Sequence, residues 1–174
     1  MRFKINEIGP DGLPLDVPVT AEWLSAACPE LDARPGPAGL RLTGRIVKAG
    51  EDYLLRGHLS GELGTPCARC LEPARVALDA PLEVTFVQSD AVDDDADEDD
   101  DPEVIRFAGG EIDVSDEVRD EIVLALPMNP LCSETCRGLC PVCGGNRNQV
   151  PCTCEADRTA PPGGRLTGLA KIKL

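Results

Sequence analysis

The segment from Cys132 to Cys154 reads CSETCRGLCPVCGGNRNQVPCTC and carries six cysteines. Glycine, asparagine and proline surround these cysteines and large apolar residues are nearly absent, so side-chain burial alone cannot hold the segment in one fold. A crosslink must replace the missing core, and thiolates bound to a metal ion supply one. The stretch Cys140-Pro-Val-Cys143-Gly is typical of a knuckle turn, in which two sulfurs face the same ion.

The composition of the 174 residues indicates a medium-sized domain with an aliphatic core, because hydrophobic residues make up 42% and aromatic residues only 3%. The beginning of the sequence has no apolar signal segment, and no run is long enough to span a membrane. We therefore expect a cytoplasmic protein without a membrane partner. In that compartment clustered cysteines bind metal more often than they form disulfides, and the odd count of nine also disfavours a complete disulfide framework.

The net charge of −14 is distributed unevenly. Ten acidic residues and no basic residue lie in 90–103, whereas 132–174 has six basic and three acidic residues. The acidic run predicts a disordered loop over 88–103, which we interpret as a solvated spacer rather than a site for a basic partner. The chain as a whole should repel nucleic acid, and its cysteine-rich tail should not.

Alternation of apolar and polar residues predicts a β-rich protein. The expected strands are 2–8, 13–19, 40–48, 53–63 and 76–87, with a last short pair at 103–107 and 111–114, and the expected helices follow Thr20 and Ser115. We predict an α+β fold: a β-rich curved antiparallel sheet or partial barrel, a covering helix at 115–126, and a C-terminal zinc-knuckle tail. The domains are then a β-rich domain over 1–131 and a zinc-binding tail over 132–174.

Two further cysteines, Cys67 and Cys70, are expected at the tip of a hairpin between strands 53–63 and 76–87. Together with the tail they give eight candidate metal ligands: Cys67, Cys70, Cys132, Cys136, Cys140, Cys143, Cys152 and Cys154. Eight thiolates fill two four-sulfur sites, and such sites suit structural Zn2+. We favour one site made of the last four and another made of the first four, although the sequence determines the ligand set better than its partition.

Three other interpretations of the cysteines compete with zinc. The spacing of Cys136, Cys140 and Cys143 also occurs in iron–sulfur motifs, but the chain lacks the large α/β barrel of that radical chemistry. The pair Cys67 and Cys70 fits a thiol oxidoreductase, but it lies between strands rather than at the start of a helix. Buried thiols without metal suit only Cys28.

Catalytic motifs are lacking elsewhere in the sequence. The single histidine, His58, is expected on the surface of a strand, with no nucleophile near it in sequence. No glycine-rich phosphate loop occurs, since Gly109-Gly110 lacks a following Lys-Ser or Lys-Thr. We therefore expect neither an enzyme nor a small-molecule substrate.

Three motifs together resemble one family. They are CARCLEP at 67–73, DEVRDEIVLALPMNPLC at 116–132, and CRGLCPVCGGNRNQVPCTC at 136–154. This combination is similar to the YceD family, the large ribosomal RNA subunit accumulation proteins of bacteria and plastids, over about residues 40–154. The acidic insert and Arg147 depart from the family pattern. The resemblance implies a role in the maturation of large-subunit (23S) ribosomal RNA and in ribosome assembly, without a known catalytic activity.

The working hypothesis is a non-enzymatic factor that holds a precursor of large-subunit rRNA or a ribosomal protein. Its contacts are expected from five arginines around the knuckles: Arg41, Arg45, Arg69, Arg137 and Arg147. The scarcity of aromatic residues argues against base stacking and favours contact with phosphate or protein. One alternative is an acidic, chaperone-like binder of a basic ribosomal protein, and a second alternative is the thiol oxidoreductase.

Overall fold

The computed structural model describes residues 1–89 and 104–154. The elements are β1 (Arg2–Lys4), a 3-10 turn (Ile5–Glu7), β2 (Leu13–Pro18), α1 (Ala21–Ala27), β3 (Arg34–Ala49), β4 (Asp52–Pro66), β5 (Pro73–Gln88), β6 (Val104–Phe107), β7 (Glu111–Asp113) and α2 (Ser115–Ala125). Residues 90–103, most of the expected acidic loop, and residues 155–174, the last part of the expected tail, lie outside the described residues. No helix in the described part of the chain is long and apolar enough to cross a membrane.

The main sheet has five strands in the order β2-β3-β4-β5-β6 and is not closed into a barrel. Strands β2 to β5 are antiparallel neighbours, and β6 runs parallel to β5. The sheet is therefore mixed, and the expectation of a purely antiparallel sheet or partial barrel is wrong on this point. A parallel return needs a connection of about a dozen residues or more, and the chain between Gln88 and Val104 is long enough.

The expected pairing of the last two strands with each other is also wrong. Strand β6 pairs with β5, and β7 pairs with β1 in a separate two-stranded sheet. The β1–β7 pair is held by the side chain of Asp113, which accepts a hydrogen bond from Arg2 Nε at 2.8 Å. Ile112 on β7 is fully buried, so burial favours this long-range pairing over a local hairpin.

One face of the main sheet forms an aliphatic core, as the alternation predicted. The fully or nearly fully buried side chains include Leu55, Leu59 and Leu63 of β4 and Leu78, Leu82 and Phe86 of β5. Leu24 of α1 and Val118 and Ile122 of α2 belong to the same cluster. Leu124 of α2, although apolar, is 78% exposed. It lies about 240° around the helix from Val118, on the far side.

The two helices start differently. Thr20 caps α1 as expected, because its side-chain oxygen accepts a hydrogen bond from the backbone N–H of Trp23. Ser115 was expected to cap α2 but is its first helical residue instead. The backbone N–H of Ser115 donates to Asp113 Oδ1 at 3.0 Å, so the aspartate satisfies this helix terminus.

Strands β4 and β5 form a long hairpin that carries the first pair of cysteines. The register runs from Tyr53 opposite Phe86 to Pro66 opposite Pro73. The six residues 67–72 therefore form its tip, as the sequence predicted. Because both strands are long, the tip lies at the far end of the sheet from the turn between β3 and β4.

Candidate metal centre

The hairpin tip folds into a tight turn around Cys67. The backbone N–H of Cys67 donates to Glu72 O at 2.8 Å, and the N–H of Leu71 donates to Cys67 O at 2.9 Å. The N–H of Arg69 lies 3.4 Å from Cys67 Sγ. Leu71 has a φ of 64°, a left-handed conformation that closes the turn.

The segment from Cys140 to Gly145 repeats this turn contact by contact. The N–H of Cys140 donates to Gly145 O, and the N–H of Gly144 donates to Cys140 O, both at 2.8 Å. The N–H of Val142 lies 3.4 Å from Cys140 Sγ, and Gly144 has a φ of 73°. The two Cys-x-x-Cys segments, 73 residues apart in sequence, therefore present their sulfurs from the same local structure.

Eight sulfurs converge in two groups. We call Cys67, Cys70, Cys132 and Cys136 the first cluster, and Cys140, Cys143, Cys152 and Cys154 the second cluster. Within each cluster all four Sγ atoms lie within 4.8 Å of one another. These are the two sets that the sequence analysis favoured. Binding of a metal ion to them stays a prediction.

The sulfur separations fit tetrahedral coordination. In the first cluster Cys67 Sγ lies 3.8 Å from Cys136 Sγ, and Cys70 Sγ lies 3.5 Å from Cys132 Sγ. In the second cluster Cys152 Sγ lies 3.7 Å from the sulfur of Cys143. A tetrahedron with Zn–S bonds of about 2.3 Å has edges of about 3.8 Å. All nine cysteines are free thiols, so disulfides do not account for this spacing.

The first cluster also has the electrostatics of a cation site. Burial raises the pKa of Cys67, but backbone hydrogen bonds from Cys132 and Arg69 outweigh burial and lower that pKa to about 6. Burial is the main reason why the pKa of Cys70 rises to about 12. Negative charge on one sulfur therefore disfavours ionisation of its neighbours. All four can ionise together only if a cation compensates their charge.

The two clusters differ in exposure. Cys67, Cys70 and Cys136 are buried in the first cluster, and only Cys132 is exposed. In the second cluster Cys140 alone is buried. The burial of Cys67 and Cys70 disfavours a thiol oxidoreductase, because a redox-active thiol must be accessible to its substrate.

Amide side chains between Cys143 and Cys152 connect the clusters. Asn148 Nδ2 donates to Cys136 Sγ at 3.3 Å, and its Oδ1 accepts from the backbone N–H of Arg137 at 2.7 Å. Glu72 Oε1 accepts from Gln149 Nε2 at 2.9 Å and from Asn146 Nδ2 at 3.4 Å. We call residues 146–149 the amide loop. The sequence analysis assigned no role to its side chains, although short amides close to a set of cysteines are a readable signal for such hydrogen bonds.

Backbone contacts hold the tail against the hairpin tip. The N–H of Leu139 donates to Arg69 O at 2.9 Å, and the N–H of Ala68 donates to Pro130 O at 2.8 Å. Gly138 is buried there with a φ of 70°, and a Cβ atom on it would lie 2.9 Å from Arg69 O. The tail and the tip therefore approach too closely at this point for any larger residue.

The five candidate arginines do not lie together. Arg69, Arg137 and Arg147 are at the cysteine end, and Arg69 Nη1 donates to Cys136 O at 3.0 Å. Arg41 lies opposite Ser60 and Arg45 opposite Arg56, roughly 20 and 35 Å along β4 from the tip at about 3.3 Å per residue. Arg41 is paired with Asp16, and Arg45 donates to the carbonyl of Asp11. The expectation that these two surround the knuckles is therefore wrong, because strand length separates them from the tip.

The single histidine lies on the exposed face of the sheet, as expected. His58 contacts Asp79 across the β4–β5 ladder, and both side chains are largely solvated. An exposed pair of this kind is worth little to stability.

Comparison with known proteins identifies the family. The sequence profile described as "Large ribosomal RNA subunit accumulation protein YceD" matches residues 55–173. An uncharacterized protein of Mycobacterium tuberculosis strain H37Rv is 36% identical over 115 residues, which are 66% of this chain and 55% of the relative. The chloroplastic large ribosomal RNA subunit accumulation protein YCED homolog 1 of Zea mays is 35% identical over 51% of this chain and 39% of its own length.

The homologue of the same name from Arabidopsis thaliana is 37% identical over 32% of this chain and 18% of its own length. The chain thus spans about half the length, or less, of these curated relatives. No solved structure matches. Because the family profile covers more than half of the sequence and includes all eight clustered cysteines, this chain belongs to the YceD family.

Proposed function

We propose that this chain is a non-enzymatic factor in the accumulation and maturation of large-subunit (23S) ribosomal RNA and in ribosome assembly. The observation that carries the proposal is its membership of a family described by that process, which also includes named chloroplast members. The chain offers partners its cysteine end, which is held against the hairpin tip by backbone hydrogen bonds, rather than a catalytic constellation. It acts in the cytoplasm, without a membrane or a small-molecule substrate.

The proposal includes structural Zn2+ at both clusters. Four thiolates at tetrahedral spacing make a closed site with no open position for substrate, which is the arrangement of structural rather than catalytic zinc. An iron–sulfur cluster is disfavoured because the four sulfurs of each group lie within 4.8 Å of one another, which is the spacing of ligands around a single ion. Metal analysis of the purified chain is the direct test: two zinc ions per chain support the assignment, and iron or no metal refutes it.

A polar cleft of about 550 Å³ beside the first cluster is the proposed contact with RNA. Its lining includes Ser133, Thr135 and Arg137, with Gln149 of the amide loop. Hydroxyl and guanidinium groups bind phosphate oxygens without reading sequence. Within the described residues, the exposed guanidinium of Arg137 makes no hydrogen bond or ion pair, so it is available to a partner.

The matched experiment compares two sets of arginines. Arg137→Gln should weaken binding to a large-subunit precursor transcript and reduce the slope of log K against log salt by about one unit. Arg41→Gln with Arg45→Gln, far along the sheet, serves as the control and should leave both quantities nearly unchanged. Equal losses in the two variants would mean that binding reflects overall charge, and an unchanged Arg137→Gln would exclude this cleft.

A second candidate is a chaperone-like binder of a basic ribosomal protein. The observation that favours it is charge: each site of four thiolates and one Zn2+ carries a formal charge of about −2, which adds to a chain already at −14. Deleting residues 90–103 separates the two ideas. If the chain contacts RNA, the deletion should tighten RNA binding. If the chain is a chaperone, the deletion should abolish binding of the basic ribosomal protein.

The oxidoreductase alternative has a simple assay. Reduction of insulin disulfides by the chain, abolished by Cys70→Ser, would establish it. We expect no such activity, since burial denies the two hairpin sulfurs to a substrate disulfide.

A further inference from the structure

We infer that the two metal sites are loaded cooperatively, and that Asn148 is the positioning residue through which the second cluster strengthens the first. This inference rests on the proposed binding of metal to both clusters. It follows from the path of the chain between the sulfurs, and it concerns the order in which the cysteine end is built.

The second cluster is local in sequence. Its four sulfurs come from Cys140 to Cys154, so closing the site orders only a short loop. The first cluster joins Cys67 and Cys70 of the hairpin tip to Cys132 and Cys136, which are more than 60 residues away in sequence. Closing the second cluster therefore costs less chain entropy, and it depends less on the folding of the rest of the chain.

The amide loop lies within the second cluster in sequence, but its side chains contact the surroundings of the first. It connects Cys143 to Cys152, so a metal ion in the second cluster ties both of its ends. Held in this way, the loop brings Asn148 Nδ2 to 3.3 Å from Cys136 Sγ. The same loop delivers Gln149 and Asn146 to Glu72 on the hairpin tip.

The orientation of the Asn148 amide predicts positive coupling, in which metal in the second cluster strengthens metal binding at the first. Its oxygen accepts from the N–H of Arg137, which directs the NH2 group at the thiolate. An N–H donor at this distance stabilises the ionised sulfur that a metal ion needs more than it stabilises the neutral thiol. Without metal in the second cluster the amide loop is not held at its ends. The entropic cost of ordering it then reduces the affinity of the first cluster for its ion.

The expected size of the effect follows from other proteins, in which hydrogen-bond partners of metal ligands contribute to metal affinity. Losing such a hydrogen bond lowers metal affinity by about 10- to 100-fold. We therefore expect Cys152→Ser with Cys154→Ser, which disables the second cluster, to weaken Cd2+ binding at the first cluster by roughly tenfold. Because binding of the two ions is reciprocally coupled, disabling the first cluster with Cys67→Ser and Cys70→Ser should weaken the second cluster by a similar factor.

The experiment is a Cd2+ titration of the full chain, followed by 113Cd NMR, in which each four-sulfur site gives its own resonance. Asn148→Ala keeps all eight cysteines, and in this background the second-cluster substitutions should weaken the first cluster by less than about twofold, since the contact that transmits the coupling is gone. Val150→Ala, at an exposed position just beyond the amide loop, is the matched control and should retain the full coupling.

Three results would overturn the inference, and they are distinguishable. If the first cluster binds Cd2+ equally well with and without the second, the sites are independent. If the coupling persists undiminished in Asn148→Ala, another contact transmits it. If the unaltered chain binds no Cd2+ at either cluster, the proposed metal sites themselves fail. Asn148→Ala on its own leaves every ligand in place and should by itself weaken Cd2+ binding at the first cluster by roughly tenfold, a result that does not depend on the folding of the cysteine variants.

Discussion

Leu71 and Gly144 occupy the same position in two matching turns, each directly after the second cysteine of a Cys-x-x-Cys pair. Their φ angles are 64° and 73°. Glycine adopts this conformation freely, whereas a leucine there is strained by about 1–2 kcal/mol. Leu71 is 68% exposed, so burial of its side chain does not offset the strain. The hairpin tip therefore stores conformational strain directly beside the first cluster.

Relief of this strain should be measurable. We expect Leu71→Asn to raise the free energy of unfolding by about 0.5–1 kcal/mol, because asparagine tolerates the left-handed region better than leucine. Urea unfolding of the metal-loaded chain is the measurement. Leu124→Asn, at an exposed leucine in the ordinary conformation of α2, is the control and should be neutral or slightly destabilising. A loss of stability at Leu71 alone would indicate that its side chain has a role that outweighs the strain.

The close approach of tail and hairpin tip gives a second prediction. Gly138→Ala and Gly144→Ala introduce the same methyl group at nearly the same φ, but only at Gly138 would it meet a neighbour, Arg69 O at 2.9 Å. Both should lose about 1 kcal/mol to strain, and Gly138→Ala should lose roughly 1–3 kcal/mol more from steric overlap. The difference in urea midpoint between the two variants isolates the contact. Equal losses would show that the tail adjusts at no cost.

Removal of metal should release the cysteine end and leave the sheet folded. The buried apolar residues form two separate groups. One is the main core, and the other surrounds Cys67, Cys70, Ala74 and Cys136. After chelation we expect hydrogen exchange to accelerate by orders of magnitude in 130–154, since the proposed metal ions would crosslink a segment with little apolar burial. Peptides from β3 and β4 should stay protected. Simultaneous loss of protection in these strands would mean that the metal supports the whole fold.

A half-buried carboxyl on α2, that of Glu117, should make the free energy of unfolding depend on pH. Burial raises the pKa of Glu117 from 4.5 to about 6, and one of its carboxylate oxygens has no hydrogen-bond partner within the described residues. The folded state thus binds the proton more tightly than the unfolded state, so this residue costs stability above pH 6 and the cost disappears as pH falls toward 4.5. Because the group is partly solvated, the cost at neutral pH is about 1 kcal/mol.

Glu117→Gln is the corresponding variant. It should raise the free energy of unfolding at pH 7 by about 1 kcal/mol and have little effect below pH 4.5, where the wild-type side chain is already neutral. Thermal unfolding at a series of pH values measures the difference. Glu121→Gln, which removes an acidic residue one turn further along the same helix, serves as the control. A gain that is independent of pH would assign the effect to packing instead.

Local patterns in the sequence were sufficient for much of the fold. The alternation in residues 53–63 and 76–87 correctly predicted which side chains of the long hairpin are buried, and the motif around Cys140 predicted a tight turn. These features depend on neighbours within a few residues. Strand periodicity and turn chemistry are therefore readable from the chain itself.

Other features depend on contacts between distant segments, and here tertiary structure decides. Strand β6 pairs with β5 in parallel, Arg41 and Arg45 lie far from the cysteine end, and Asn148 reaches the sulfur of Cys136. The sequence supports eight thiol ligands but is compatible with more than one division into fours. Which sulfurs meet is determined by where the hairpin tip ends and how closely Gly138 lets the tail approach it, because both depend on packing across more than 60 residues of intervening chain.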